Sequence, residues 1–278
     1  MQQAQPIGIF DSGYGGLTVL KDIMAKMPGY DYLYLGDNAR APYGSRSFET
    51  VYRYTLECVT WFFNQGCPLV VLACNTASAK ALRTIQQHDL PSLAPGKRVL
   101  GVIRPTTEVI GTFTKTNNVG ILGTSGTVLS GSYPIEIEKF FPGLNVFQEA
   151  CPLWVPLIEA NEFDKPGADY FVRQHINNIF SKSAKIDTLL LACTHYPLLK
   201  NKIEKLLPKG VTLLSQGEIV ARSLVDYLQR HREIDEQCSK NGRQAFFTTD
   251  STEDFDNHAS TFFGKAVLCK HLDLEKPV

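Results

Sequence analysis

The chain has 278 residues, 44% of them apolar and 20% charged, with 28 basic and 28 acidic side chains and no formal net charge. That composition belongs to a folded globular protein and excludes a disordered or fibrous one. The balanced charge offers no basic face for phosphate backbones, so nucleic acid is not an expected partner, and no apolar run approaches the roughly 18 residues of a membrane span.

The start, MQQAQP, lacks the charged and apolar regions of a secretory signal. Seven cysteines, an odd number in a chain too long to need stapling, fit reduced thiols better than a disulfide framework. A cytoplasmic protein is expected.

Taken in chain order, short β-branched runs predict strands at Ile7–Phe10, Tyr32–Leu35, Leu69–Ala73, Val99–Val102, Val119–Leu122, Val146–Gln148, Thr188–Ala192 and Thr212–Leu214. Between them, segments such as Phe48–Asn64 and Tyr170–Phe180 carry apolar residues at helical spacing. Strand and helix in alternation imply parallel sheets with right-handed crossovers.

The halves repeat. IGIFDSGYGGLT from Ile7 aligns with VGILGTSGTVLS from Val119, an offset of 112 residues, and YLGD at Tyr34–Asp37 meets VFQE at Val146–Glu149 at the same offset. LVVLACNT and TLLLACTH then match with Cys74 opposite Cys193, an offset of 119 that marks a short insertion in the second copy. The expectation is an α/β protein of two similar parallel-sheet domains related by a pseudo-twofold axis, with the active site in the cleft between them. The SLAPGK turn at Ser92–Lys97 and LPKG at Leu207–Gly210 set the boundaries: residues 1–97 plus 210–278 form the first domain, and 98–209 the second. Everything after Gly210 is expected to return to the first domain and complete its sheet.

Ligands of parallel sheets bind beyond the carboxyl ends of the strands, and the unusual residue clusters fall there. Asp11 and Ser12 follow the first strand, Cys74 to Thr76 the third, and Cys193 to His195 its repeat equivalent. A lone cysteine after a strand is ordinary core; two at matched positions with polar successors are not. A helix N-terminus favours thiolate and lowers a thiol pKa, with Asn75 or Thr76 as cap and Pro197 in a first turn. Cys58, Cys67, Cys151, Cys238 and Cys269 lack the paired setting and read as structural. His195, two residues after a thiol, is either a satisfied imidazole or a proton handler. Asp11 caps the following helix, faces ligand, or both.

The DSGYGG loop at Asp11–Gly16 has the wrong spacing for a dinucleotide fingerprint or a P-loop, although its N–H groups suit a carboxylate. The Pro42–Tyr43–Gly44 turn is on its own only a turn. Cys74, Cys193 and His195 would be three metal ligands, but neither a C-x-x-C spacing nor a second histidine supports zinc.

These residues together resemble the glutamate racemases, of the aspartate/glutamate racemase family, through nearly the whole chain: FDSGYGGLTVL, YLGDNARAPYG, ACNTAS, ILGTSGT, ACPLWVPLIE and ACTHYPLL, in the family's order. The resemblance implies cofactor-independent racemisation of L- to D-glutamate for peptidoglycan, with Cys74 and Cys193 as the catalytic pair. It implies that Asp11, Ser12, Tyr43, Gly44, Asn75, Thr76, Thr194 and His195 line the substrate site, and that Asp11, His195 and Glu159 assist the cysteines. Arg104 stands where the family usually has an acidic residue, and SQGE at Ser215–Glu218 replaces a more typical Asp-Ser-Gly. No metal, cofactor, nucleic-acid or membrane partner is implied, and a homodimer is compatible. Since six residues precede the first strand, activity without a cell-wall-precursor activator is expected.

The chemistry agrees with the resemblance. Inverting an α-carbon needs one group to remove a proton from one face and another to deliver one to the opposite face, and two thiols on facing walls do this. Aspartate racemase is the alternative within the same chemistry. A two-lobed amino-acid binding protein would explain the cleft but not the paired thiols, and the glycine spacing argues against a dehydrogenase.

Overall fold

The computed structural model describes residues 5–274. Residues 1–4, within the MQQAQP start, lie outside them. Ten strands form two sheets. The first six positions of the chain's strand order are β1 (Ile7–Asp11), β2 (Tyr32–Gly36), β3 (Leu69–Leu72), β4 (Arg98–Gly101), β5 (Asn118–Gly123) and β6 (Asn145–Ala150). They are followed by β7 (Thr188–Ala192), β8 (Thr212–Ser215), β9 (Gln244–Thr248) and β10 (Cys269–His271).

The first sheet runs β10-β9-β2-β1-β3-β4 and the second β6-β5-β7-β8, with every pairing parallel. The order 2-1-3-4 of the first copy therefore recurs as 6-5-7-8 in the second, as the offset of 112 requires. β1, β3 and β7 are buried along their whole length. Strands covered by helices on both faces read as continuous apolar runs, which makes them recognisable from residues alone.

The expected helix Phe48–Asn64 is present with those bounds. Ser47 caps it by accepting from the Thr50 N–H, and it buries Val51, Cys58, Val59 and Phe62. Tyr170–Phe180 lies inside the longer helix Pro166–Lys182, which starts on a proline where no N–H is missed.

The expected boundaries each fall one strand early. The SLAPGK and LPKG turns are real, with Gly96 at φ +89 and Gly210 at φ +87, a left-handed backbone that glycine adopts without strain. After each turn, however, the chain re-enters the same sheet: β4 pairs with β3 and β8 with β7. The crossings between units come after β4 and after β8. β9 and β10 do return to the first sheet, but β8 does not.

The helices that follow the crossings are exchanged. Ile103–Thr107, after β4, packs on Ser132–Phe140 of the second unit. Gln216–Arg230, after β8, packs on Gly16–Lys26 of the first and buries Val220, Ala221, Leu224 and Leu228. Among the described residues no helix is long and apolar enough to cross a membrane.

Candidate active site

Both cysteines leave their sheets at the strands' carboxyl ends. β3 stops at Leu72 and β7 at Ala192, and Cys74 and Cys193 stand in the turns beyond, both buried. They border one cavity of about 90 Å³. Ser12, Tyr43, Gly44, Asn75 and Thr76 of the first unit border it too, as do Glu159, Thr194 and His195 of the second. Asp11 is the expected site residue that does not; it lies behind the wall. A larger groove of about 720 Å³, past Ser78, Leu82, Arg104 and Leu224, reaches neither cysteine. The smaller cavity is the one that gathers the expected site residues.

On the first wall Cys74 is itself the cap of helix Asn75–Lys80, its sulfur accepting from the Ala77 N–H at 3.5 Å. Neither Asn75 nor Thr76 takes that role. Ser12 Oγ lies 3.4 Å from the sulfur. Burial pushes the Cys74 thiol up to about 12, nearby Asp11 adds to the rise, and the Ser12 and Ala77 hydrogen bonds only partly offset it. The expected lowering at a helix N-terminus is thus overturned: the helix is six residues long, and withdrawing a thiolate from water outweighs its dipole.

Asp11 is not itself the cap residue of helix Gly16–Lys26, which is Gly15, but its carboxylate accepts from the Gly16 N–H in the helix's first turn. Its carboxylate accepts from the Gly13 N–H at 3.0 Å and from Thr194 Oγ1 at 3.3 Å, across the cleft. Burial raises its pKa against the lowering influence of His195 and these hydrogen bonds.

On the second wall His195 Nε2 lies 2.9 Å from Glu159 Oε1. Burial opposes a charge on this imidazole, but the Cys193 sulfur and the Glu159 carboxylate outweigh it and push its pKa up to about 10. Both neighbours favour the protonated imidazole. Its ring packs edge-on against Phe262 at 5.1 Å. Glu159 ends helix Trp154–Glu159, and its carbonyl lies 3.1 Å from His258 Nε2, whose ring stacks on Tyr14. Pro197 occupies a first turn as expected, although of a 3-10 turn, Tyr196–Leu199.

The walls meet closely. A Cβ on Gly15 would lie 2.3 Å from Thr194 Oγ1 and 2.4 Å from His195 Nδ1, so the first glycine loop fits against the second cysteine turn only without a side chain. Thr18 Oγ1 donates to the Thr194 carbonyl at 3.0 Å. The Gly44 carbonyl accepts from the Gly126 N–H at 2.7 Å, and the Tyr43 hydroxyl donates to Asp37, which Arg40 Nε also holds at 2.7 Å. The Pro42–Gly44 turn is thereby a fixed part of the wall.

Sequence reasoning missed Thr124, Ser125, Pro152, Val155 and Pro156, which also border the cavity. Thr124 had a signal: at the offset of 112 it is the counterpart of Ser12. Its Oγ1 caps helix Ser125–Leu129 and lies 3.0 Å from Thr76 Oγ1. Of the two departures, Arg104 faces solvent and pairs with Glu108 at 2.8 Å, whereas Gln216 is buried and bonded to Asn75. Cys58, Cys67, Cys151 and Cys238 are buried away from the cavity, and Cys269 is half-buried.

This chain is similar to known proteins over most of its length. Residues 18–224 match the Asp/Glu/hydantoin racemase family. A glutamate racemase of Persephonella marina is 39% identical over 97% of this chain and 98% of its own. A crystal structure of a glutamate racemase isoform from Bacillus anthracis superposes with a TM-score of 0.88 at 34% identity, covering 98% of this chain and 99% of its own. That of the Francisella tularensis glutamate racemase in complex with D-glutamate gives 0.87 at 29% identity, covering 98% and 99%.

Proposed function

This chain belongs to the Asp/Glu/hydantoin racemase family as an isomerase of the glutamate racemase kind, and on that premise we propose that it interconverts L- and D-glutamate by two cysteines, without a cofactor, supplying D-glutamate for peptidoglycan. The observation that carries the mechanism is the meeting of Cys74 and Cys193, from equivalent strand ends of two repeated units, around one cavity.

One sulfur, as thiolate, takes the α-proton from one face of the substrate; the carbanion that results is reprotonated by the other thiol from the opposite face. Proton and charge balance: the base ends as thiol and the acid as thiolate, and the roles reverse with the direction of reaction. Cys74, with its pKa pushed up to about 12, rests as the thiol. His195, whose pKa is pushed up to about 10, lies beside Cys193. In the L-to-D direction Cys193 serves as base and Cys74 as acid.

Asp11 behind Cys74, and His195 with Glu159 beside Cys193, adjust the protons of the two sulfurs. Ser12, Asn75, Thr76 and Thr194, with Tyr43 and Gly44 as walls, offer donors to the substrate carboxylates; donors fixed in place stabilise the developing carbanion without reorganising. Seven free thiols call for a reducing compartment, which supports a cytoplasmic location. A homodimer is compatible with this reading, and sedimentation at micromolar concentration decides it.

The test is circular dichroism of pure L- or D-glutamate incubated with chelator-treated, cofactor-free protein. Decay to zero rotation from both enantiomers is expected, and unchanged rotation with folded protein refutes the reading. Aspartate, one methylene shorter, should turn over poorly, because groups placed for the distal carboxylate of glutamate miss it.

A further inference from the structure

We infer that Gln216 is a positioning residue that fixes the side-chain amide of Asn75 so that its nitrogen, rather than its oxygen, is presented to the substrate carboxylate; the inference rests on the glutamate reading above for the occupant of the cavity.

Three buried side chains form a closed ring. Asn75 Nδ2 donates to Gln216 Oε1 at 2.7 Å, Gln216 Nε2 donates to the Tyr133 hydroxyl at 2.8 Å, and the Tyr133 hydroxyl donates to Asn75 Oδ1 at 2.6 Å. Such a ring runs equally well in either direction if both amides turn over, because amide oxygen and nitrogen have the same shape and the hydroxyl both donates and accepts. Two acceptors outside the ring remove this freedom. The Val102 carbonyl lies 3.1 Å from Gln216 Nε2, and a carbonyl only accepts. Thr106 Oγ1 lies 3.0 Å from the same atom and spends its own proton on the Val102 carbonyl at 3.2 Å. The end of Gln216 that faces these groups must therefore be its nitrogen. Its oxygen then faces Asn75, which must answer with nitrogen and leave its oxygen to Tyr133.

The consequence reaches the cavity that Asn75 borders. An amide nitrogen carries two protons, and Gln216 takes one. The second is left for an acceptor, and a carboxylate is the acceptor the proposed substrate brings. Turned over, Asn75 would offer an oxygen to the same carboxylate and repel it. The ring is also sited where the units join: Val102 and Thr106 follow β4, Tyr133 lies in the second unit's helix Ser132–Phe140, and Gln216 directly follows β8. Both crossings between units thus converge on one substrate-facing side chain.

Steady-state kinetics with L-glutamate test this. Gln216→Met keeps the length and removes the hydrogen bonds; KM should rise about tenfold while kcat stays within about threefold. In an Asn75→Ala background, where the contact is already gone, adding Gln216→Met should change KM by less than about twofold. Effects that multiply, an unchanged KM, or a loss confined to kcat would overturn the inference. Should Gln216→Met fail to fold, Gln216→Leu removes the same hydrogen bonds at similar volume and must raise KM likewise; an unchanged KM again overturns it. Solvent exchange of the Asn75 side-chain amide, followed by NMR in nitrogen-labelled protein, separates this inference from the glutamate reading. Exchange should be slow in the unsubstituted protein and at least about tenfold faster in Gln216→Met. An inactive parent protein would count against the substrate, whereas equal exchange in both proteins would count against the ring.

Discussion

The two walls of the cavity descend from the same repeated strand and turn, yet they set different titratable groups beside their sulfurs. Behind Cys74 sits a buried carboxylate, Asp11, and burial with that neighbour holds the thiol up at about 12. Beside Cys193 sits an imidazole, His195, held at about 10 by Cys193 and Glu159 against its own burial. Repetition places two sulfurs at matched strand ends, and in the proposed mechanism the titratable neighbours of each sulfur give it a role. A racemase needs one acid and one base at any moment, and two identical walls would not provide them. The copies are alike in backbone and unlike in the residues that set protonation.

The strongest way to break this comparison is to remove each sulfur in turn. Cys74→Ser and Cys193→Ser should each lower racemisation by about 10³-fold or more while the fold survives, because a hydroxyl is a far weaker acid than a thiol and the volume change is small. The residual chemistry should differ. Cys193→Ser should still exchange or eliminate from the D form of a suitable glutamate analogue, and Cys74→Ser from the L form. Full activity in both variants, or the same enantiomer preference in both, contradicts two opposed walls.

A smaller loss, roughly 10²-fold, is expected for His195→Asn, which takes the titratable imidazole from one wall and leaves the other intact. Solvent deuterium exchange into L-glutamate should suffer more than exchange into D-glutamate. Equal losses in both directions would mean that His195 serves the cleft as a whole.

The walls also have to fit. Gly15→Ala places a methyl group 2.3 Å from Thr194 Oγ1 and 2.4 Å from His195 Nδ1, so one wall must move away from the other. The expected cost is about 1–3 kcal/mol in stability and roughly tenfold in kcat/KM. Unchanged thermal stability would show that the cleft gives at this point without resistance.

The gentlest probe is pH. The folded pKa of His195, about 10, lies above the unfolded value of about 6.5, so its stabilising contribution is complete below the lower value and disappears as pH rises through the upper one. The Tm advantage of the unsubstituted protein over His195→Asn should shrink between about pH 6.5 and 10. A gap that stays constant or widens places the charge elsewhere.

Much of this was readable in the residues, and the exceptions have physical causes. Strands buried on both faces announce themselves as apolar runs, and the repeat located both cysteines, the loop at Asp11 and the turn at Thr194. β9 and β10 were not specified, because QAFFT and a three-residue edge strand carry little pattern. The unit boundaries were misplaced because a turn with a left-handed glycine looks the same whether the chain changes sheet or returns to it, and only the pairing of β4 with β3 and β8 with β7 tells the two apart. The pKa of Cys74 was misjudged because a helix start is visible in sequence, whereas the depth of burial that outweighs it is not. Gln216 gave no positional signal, since its partners lie 141 residues away at Asn75 and 83 at Tyr133.

The helix Gln216–Arg230, written into the second copy, covers the helix Gly16–Lys26 of the first, and the first sheet takes its outer strands from beyond Gln244. Order of synthesis and order of completion are therefore reversed. The earliest strands to leave the ribosome wait for some of the latest residues before their sheet is whole, while the middle of the chain can finish its own sheet first. The duplicated gene consequently has no removable half: a chain stopped between the copies would leave an apolar helix face bare and would need its missing partner supplied by another chain.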